Sequence, residues 1–208
     1  MKFEQALESC GIIAILRGVS PGEVVTVGQA LYDQGIRIVE VPLNSPDPFN
    51  SIEKLAKAFV NKIVVGAGTV LSTQDVNLLK EHGGQISVSP DCNSETIARA
   101  VALELDPVPG VFTPTEAFAA IRAGAKHLKL FPAEVAAPQT IKAWKAVLPK
   151  HIKIHAVGGI TPANMKDWLM AGASGFGIGS SLYKPGMALA QISESAQILV
   201  SAWKKAVS

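Results

Sequence analysis

The chain has 208 residues, 48% of them hydrophobic and 17% charged, which is enough for one well-buried core, so a single domain over residues 1–208 is expected. The net charge of +2 is spread over scattered lysines and arginines and forms no basic patch of the kind that binds nucleic acid or a membrane surface. No apolar run approaches the ~20 residues of a membrane span, and Cys10 and Cys92, distant from each other and from any histidine at ligand spacing, fit reduced thiols in a cytoplasmic protein.

The start, MKFEQALESCGIIAILRG, is not expected to be a secretory signal, because its apolar run from Gly11 to Leu16 is short and ends at Arg17. EQALES predicts a helix ahead of the first strand, IIAILR from Ile12. Runs rich in Val, Ile and Leu then recur: IRIVEVPL from Ile36, IVVGAGT from Ile63, QISVSP from Gln85, DPVPGV from Asp106, HLKLFP from His127, KIHAVGG from Lys153 and GFGIGS from Gly175. Successive starts fall roughly 21 to 27 residues apart, room for a strand, a short helix and two loops.

Between them lie helical segments. PGEVVTVGQALYDQG opens with Ser20 and Pro21 as cap and first-turn residues, and STQDVNLLKEHGG begins at Ser72 and ends on glycines. TPTEAFAAIRAGA and TPANMKDWLMAGA repeat one pattern, a Thr cap, Pro at the first helical position, apolar residues at helical spacing and an Ala-Gly-Ala exit. ALAQISESAQILVSAWKKAVS predicts a closing helix.

Eight alternating strand–helix units require a parallel sheet, and at this length the economical form is a closed (β/α)8 barrel, the TIM barrel, with an extra N-terminal helix. The competitor is an open doubly wound sheet. That fold usually carries G-x-G-x-x-G after its first strand, where this chain reads LRGVSPGE.

Barrel enzymes act at the carboxyl ends of their strands. Residues two apart share a face, which groups Ile13, Ile15 and Arg17; Ile38 and Glu40; Val65, Ala67 and Thr69; and His127, Lys129 and Phe131. If these rows face inward, an arginine, a carboxylate, a hydroxyl and a lysine meet at one mouth. A lysine among apolar residues is held partly neutral and nucleophilic, able to form an imine with a ketone. A carboxylate beside it can move protons, and an arginine can clamp a substrate carboxylate. A structural Lys129–Glu40 pair is the plain alternative.

Two glycine-containing loops, AVGGITPAN and GIGSSL, follow the seventh and eighth predicted strands, the usual phosphate cradle of barrels, often joined by a helix N-terminus. The histidines at 82, 127, 151 and 155 form no HxH or HExxH, so no metal and no cofactor is expected. His127 reads as a satisfied core residue.

The motifs IIAILRG, GIRIVEVPLNSP, VGAGTVL, VSPDCNSE, PVPGVFTPTEA, LKLFPAE, AVGGITPANM and GIGSSLY stand here in an order that resembles the 2-keto-3-deoxy-6-phosphogluconate and -phosphogalactonate aldolases, class I lysine aldolases of the (β/α)8 fold. The resemblance implies that Lys129 forms the imine, Glu40 shuttles protons and Arg17 binds the substrate carboxylate. It implies pyruvoyl contacts from Thr69, Pro90 and Phe131, and phosphate binding at Gly158, Gly159, Gly179 and Ser180. It also implies a homotrimer, with a phosphorylated 2-keto-3-deoxy sugar acid and pyruvate as small-molecule partners. Asn44 stands where the phosphogluconate type carries an arginine, and Val157 where it carries a threonine. Both changes, with PQTIKAWKAVLP, resemble the phosphogalactonate branch and imply cleavage of 2-dehydro-3-deoxy-6-phosphogalactonate to pyruvate and glyceraldehyde 3-phosphate. The rival substrates are the gluconate epimer and 4-hydroxy-2-oxoglutarate. A barrel phosphosugar isomerase or epimerase that forms no imine is a more distant alternative, and a non-catalytic sugar-phosphate binder is a third.

Overall fold

A computed structural model describes all 208 residues. The strands are β1 (Ile12–Ile15), β2 (Ile38–Pro42), β3 (Val64–Gly68), β4 (Ile86–Val88), β5 (Asp106–Val108), β6 (Gly110–Val111), β7 (His127–Leu130), β8 (Lys153–Val157) and β9 (Gly175–Ile178), all paired in parallel. Their order is β5-β4-β3-β2-β1-β9-β8-β7-β6. The two ends of that order are halves of one stave, interrupted at Pro109. Proline has no N–H to donate, yet its carbonyl still accepts from Lys129 N at 2.8 Å, and β6 continues the ladder along β7. The sheet therefore closes into eight staves, and the doubly wound alternative is excluded.

The helices are α1 (Phe3–Ser9), α2 (Val24–Asp33), α3 (Pro48–Ala58), α4 (Thr73–Glu81), α5 (Ser94–Ala102), α6 (Pro114–Arg122), α7 (Pro138–Lys145), α8 (Met165–Met170) and α9 (Leu189–Val207). Two of the predicted starts hold: Ser72 caps α4 in a box with Asp75, and Thr113 caps α6 in a box with Glu116, with Pro114 at the first position. Two shift inward. Ser20 N and Oγ both bond Glu23 Oε1, so Ser20 to Glu23 makes a turn and α2 begins at Val24. Asn164 accepts from Thr161 N and donates to the Gly159 carbonyl, so α8 begins three residues beyond Pro162, at Met165. No helix is long and apolar enough to cross a membrane.

Packing divides the apolar residues into two bodies. The larger, 49 residues including Ile12, Ala14, Val39, Val65, Ala67, Leu128 and Phe176, lies between the barrel wall and the helices. The smaller fills the amino half of the barrel interior with Ile13, Ile38, Val64, Ile86, Val88 and Val108, and α1 adds Phe3, Ala6 and Leu7 beneath them. Thus α1 plugs the amino end. Phe3 packs on His127 with ring centroids 4.6 Å apart, His127 and His155 stack at 5.4 Å, and their Nδ1 and Nε2 lie 3.1 Å apart. His127 Nε2 is 3.1 Å from Glu4 Oε1 on α1. Burial lowers the pKa of both imidazoles, to about 4 for His127, so the chain runs between neutral rings and a carboxylate. His127 is thus the satisfied core residue expected of it, while His155 Nδ1 is left without a partner.

One strand faces differently from the sequence-based expectation. In parallel pairing, residues in register share a face, and Glu40 is in register with Gly66 while Val41 is in register with Ala67. The inward row of β3 is therefore Val64, Gly66 and Gly68, and Val65 and Ala67 belong to the outer core. The row Val65–Ala67–Thr69 is corrected accordingly. Gly-rich apolar runs give alternation no polar mark by which to set its phase.

Candidate active site at the carboxyl end of the barrel

Inward glycines open the upper half of the barrel. A Cβ at Gly68 would fall on the Glu40 carboxylate, one at Gly66 on the Ile86 carbonyl, and one at Gly177 would press on Val157 and Ile15. The missing side chains leave a cavity of about 730 Å³ at the mouth, a size suited to a small ligand.

Glu40 and Lys129 are 2% and 7% exposed, deep in this cavity. They stand on β2 and β7, held by the ladder at Glu40 against Gly66 and at Lys129 against His155. Burial raises the Glu40 carboxyl to about 7, against the opposing pull of Lys129 and Arg17. Burial also lowers the Lys129 ammonium pKa, Glu40 resisting and Arg17 assisting. The two make no ion pair within 4.0 Å, and Glu40 Oε2 has no hydrogen-bond partner. The structural-pair alternative for Lys129 thus finds no contact to support it. Lys129 Nζ instead lies 4.4 Å from the centroid of the Phe131 ring, which walls the cavity two residues further along.

Arg17 stands just past the end of β1, its Nη1 donating to Asn44 Oδ1 at 2.6 Å. Asn44 does not line the cavity; it fixes one edge of the guanidinium and leaves the other donors for a ligand. Thr69 enters the mouth although β3 alternation points that position outward. Its φ of +57 lies in the left-handed region, which turns the chain at the strand end and brings Thr69 to the cavity wall. Pro90 lines the same wall after β4, and Val157 forms part of the floor.

Gly158, Gly159, Gly179 and Ser180 all border the cavity on the side of β8 and β9. Gly158 and Gly159 have φ of +108 and +68, consecutive left-handed residues that a side chain would strain. The cradle differs from expectation in one respect. Past Gly179 the chain makes a single turn, with Leu182 N and Tyr183 N both donating to the Gly179 carbonyl, and α8 is a six-residue helix, so loops, not a long helix, border the cavity on this side.

Sequence reasoning missed Glu134 and Lys184. Glu134, just beyond β7, lies against Gly158 and Gly159, and Lys184 follows the β9 turn; both line the cavity. Charged residues in loops are ordinary, so only their place after carboxyl strand ends marked them. Chemically, the mouth joins a desolvated amine, a carboxyl that titrates near neutrality, a guanidinium and two glycine-containing loops, the parts needed for imine chemistry on an anionic keto acid.

The family model for KDPG and KHG aldolase matches residues 3–198. The chain is 45% identical to the 2-dehydro-3-deoxy-6-phosphogalactonate aldolase of Escherichia coli (strain K12), over 94% of this chain and 96% of that one. It is 46% identical to a probable 2-dehydro-3-deoxy-6-phosphogalactonate aldolase of Rhizobium meliloti (strain 1021), over 92% and 91%. The solved native KDPGal structure superposes with a TM-score of 0.92 at 45% identity, covering 94% of this chain and 95% of that one. With the family model spanning nearly the whole barrel and the inward lysine, glutamate and arginine at its mouth, the chain belongs to the KDPG and KHG aldolase family.

Proposed function

We propose that this protein is a class I aldolase that cleaves 2-dehydro-3-deoxy-6-phosphogalactonate to pyruvate and glyceraldehyde 3-phosphate. The observation that carries this reading is the desolvated Lys129 in one cavity with a near-neutral Glu40 and no ion pair between them. The likeness to the two phosphogalactonate aldolases supports the choice of substrate.

In this mechanism Arg17, steadied by Asn44, holds the C1 carboxylate, and Thr69, Pro90 and Phe131 bound the pyruvoyl part. The neutral Lys129 amine adds to the C2 ketone, and the carbinolamine loses water to give an imine. Ionised Glu40 takes the C4 hydroxyl proton, the C3–C4 bond breaks, and its electrons pass into the imine as a pyruvate enamine. Glyceraldehyde 3-phosphate leaves. Glu40 returns the proton to C3, and water releases pyruvate and Lys129. A carboxyl that titrates at about 7 suits both directions of transfer. The loops at Gly158, Gly159, Gly179 and Ser180 hold the phosphate, and Val157 stands where the C4 configuration is read. The working form is a homotrimer in the cytoplasm.

Borohydride reduction in the presence of pyruvate, followed by peptide mapping, tests the assignment. The adduct is expected on Lys129 and absent from Lys129→Ala, while Glu40→Gln should still bind pyruvate but turn over about 10²-fold or more slowly. An adduct elsewhere, for example on Lys126, would overturn the site. Faster cleavage of the gluconate epimer or of 4-hydroxy-2-oxoglutarate would overturn the substrate.

A further inference from the structure

Three cations face the cavity: Arg17, Lys129 and Lys184. On the reading above, which this inference presupposes, the keto-acid end of the substrate occupies the first two. A phosphate monoester carries about −1.5 to −2 charges near neutrality. The glycine loops offer it only the partial charges of N–H groups, and position 44, exposed and bonded to Arg17, is an asparagine. Glu134 sharpens the imbalance, since it lies against Gly158 and Gly159 and repels an anion placed on that loop alone. The cavity has one uncommitted cation, Lys184, in the neighbouring loop after β9.

Lys184 is held to present that charge. Ahead of it, the buried Tyr183 donates from its hydroxyl to Glu23 Oε1 at 3.2 Å, and Tyr183 N bonds the Gly179 carbonyl at 3.0 Å. Behind it, Pro185 lies so close to Gly18 that a Cβ there would stand 2.7 Å from the proline ring. Lys184 N contacts Met187 Sδ at 3.1 Å, and Met187 N donates to the Lys184 carbonyl at the same distance. The backbone is thus pinned on both flanks and from the loop after β1, while the Lys184 ammonium is exposed and makes neither a hydrogen bond nor a salt bridge with the protein.

We propose that Lys184, the cavity cation left free by the keto-acid end, supplies the countercharge for the substrate phosphate and so makes the enzyme selective for phosphorylated acids. It is a binding residue remote from the bond that breaks, so its removal should act on KM far more than on kcat. Steady-state cleavage of 2-dehydro-3-deoxy-6-phosphogalactonate by Lys184→Met should show KM raised roughly 10- to 100-fold, the loss of one charge-assisted contact, with kcat reduced less than about threefold. Lys184→Arg should restore most of the KM. Inorganic phosphate should inhibit the wild type competitively and Lys184→Met about tenfold more weakly.

Pyruvate carries no phosphate, so its trapping on Lys129 reports the reacting end separately. An unchanged KM in Lys184→Met, or an arginine variant no better than the methionine one, overturns the role of Lys184. A wild type that traps pyruvate yet cleaves the phosphorylated acid no faster than its unphosphorylated counterpart overturns the phosphate reading itself, whatever Lys184 does.

Discussion

Glu40 shows how one residue links stability to activity. Its carboxyl is buried, has an oxygen with no partner, and titrates at about 7 instead of the ordinary 4.5. A folded-state value raised in this way means the native protein prefers the protonated form. Its contribution is intact below 4.5 and is lost as pH rises through 7. The wild type should therefore fall behind Glu40→Gln in urea unfolding as pH is raised from 4.5 to 8, by up to about 3 kcal/mol; a pH-independent gap would show that Glu40 titrates normally. Glu40 and Lys129 were legible in the sequence because each interrupts an apolar strand, where an uncompensated polar group is costly, and Arg17 because it ends the apolar run of β1 at the carboxyl side. Thr69 was found for a wrong reason: it reaches the mouth through a left-handed backbone that alternation does not encode. Lys184 and Glu134 escaped because a charge in a loop violates no local rule.

At the level of elements, the repeated Thr-Pro openings look identical in sequence and behave differently in the fold. Thr113 has Glu116 three residues on and closes a capping box, whereas Thr161 is followed by Asn164, whose side chain bonds back to the loop and delays α8. The role of α1 was legible only as an extra helix. As a plug it is seated by Phe3, Ala6 and Leu7 and touches the His127–His155 pair through Glu4, a contact that alternation cannot supply. That pair makes the plug sensitive to acid. His127 is held well below its ordinary 6.5, at about 4, by burial, with Lys126 and Lys153 adding to the effect and Glu4 opposing it. The unfolded chain takes up the proton first, so this stabilisation is complete above 6.5 and is lost as pH falls towards 4. At pH 5 the loss should be roughly 2 kcal/mol from His127 alone. A His127→Gln/His155→Gln variant should lose less stability between pH 7.5 and 5 than the wild type; an equal loss in both would locate the acid sensitivity elsewhere.

Across the whole molecule, the barrel separates support from selection. The amino half is filled by Ile, Val and the α1 side chains, and the carboxyl half is left open by glycines. Eight staves were countable from the spacing of apolar runs, but the route of closure was not, because Pro109 breaks the fifth stave while its carbonyl still serves the ladder. If the working form is a homotrimer, light scattering should return three times the mass of one chain at micromolar concentration; a monomer of full activity would remove assembly from the mechanism. The glycine wall also limits how such a site can be re-engineered. A surface made of backbone has no side chain to exchange, and adding one at Gly68 collides with the working carboxylate. Libraries aimed at new substrates should therefore leave the wall untouched and randomise side chains that line the cavity beside it, such as Val157 and Lys184. That keeps the search small enough to screen to completion.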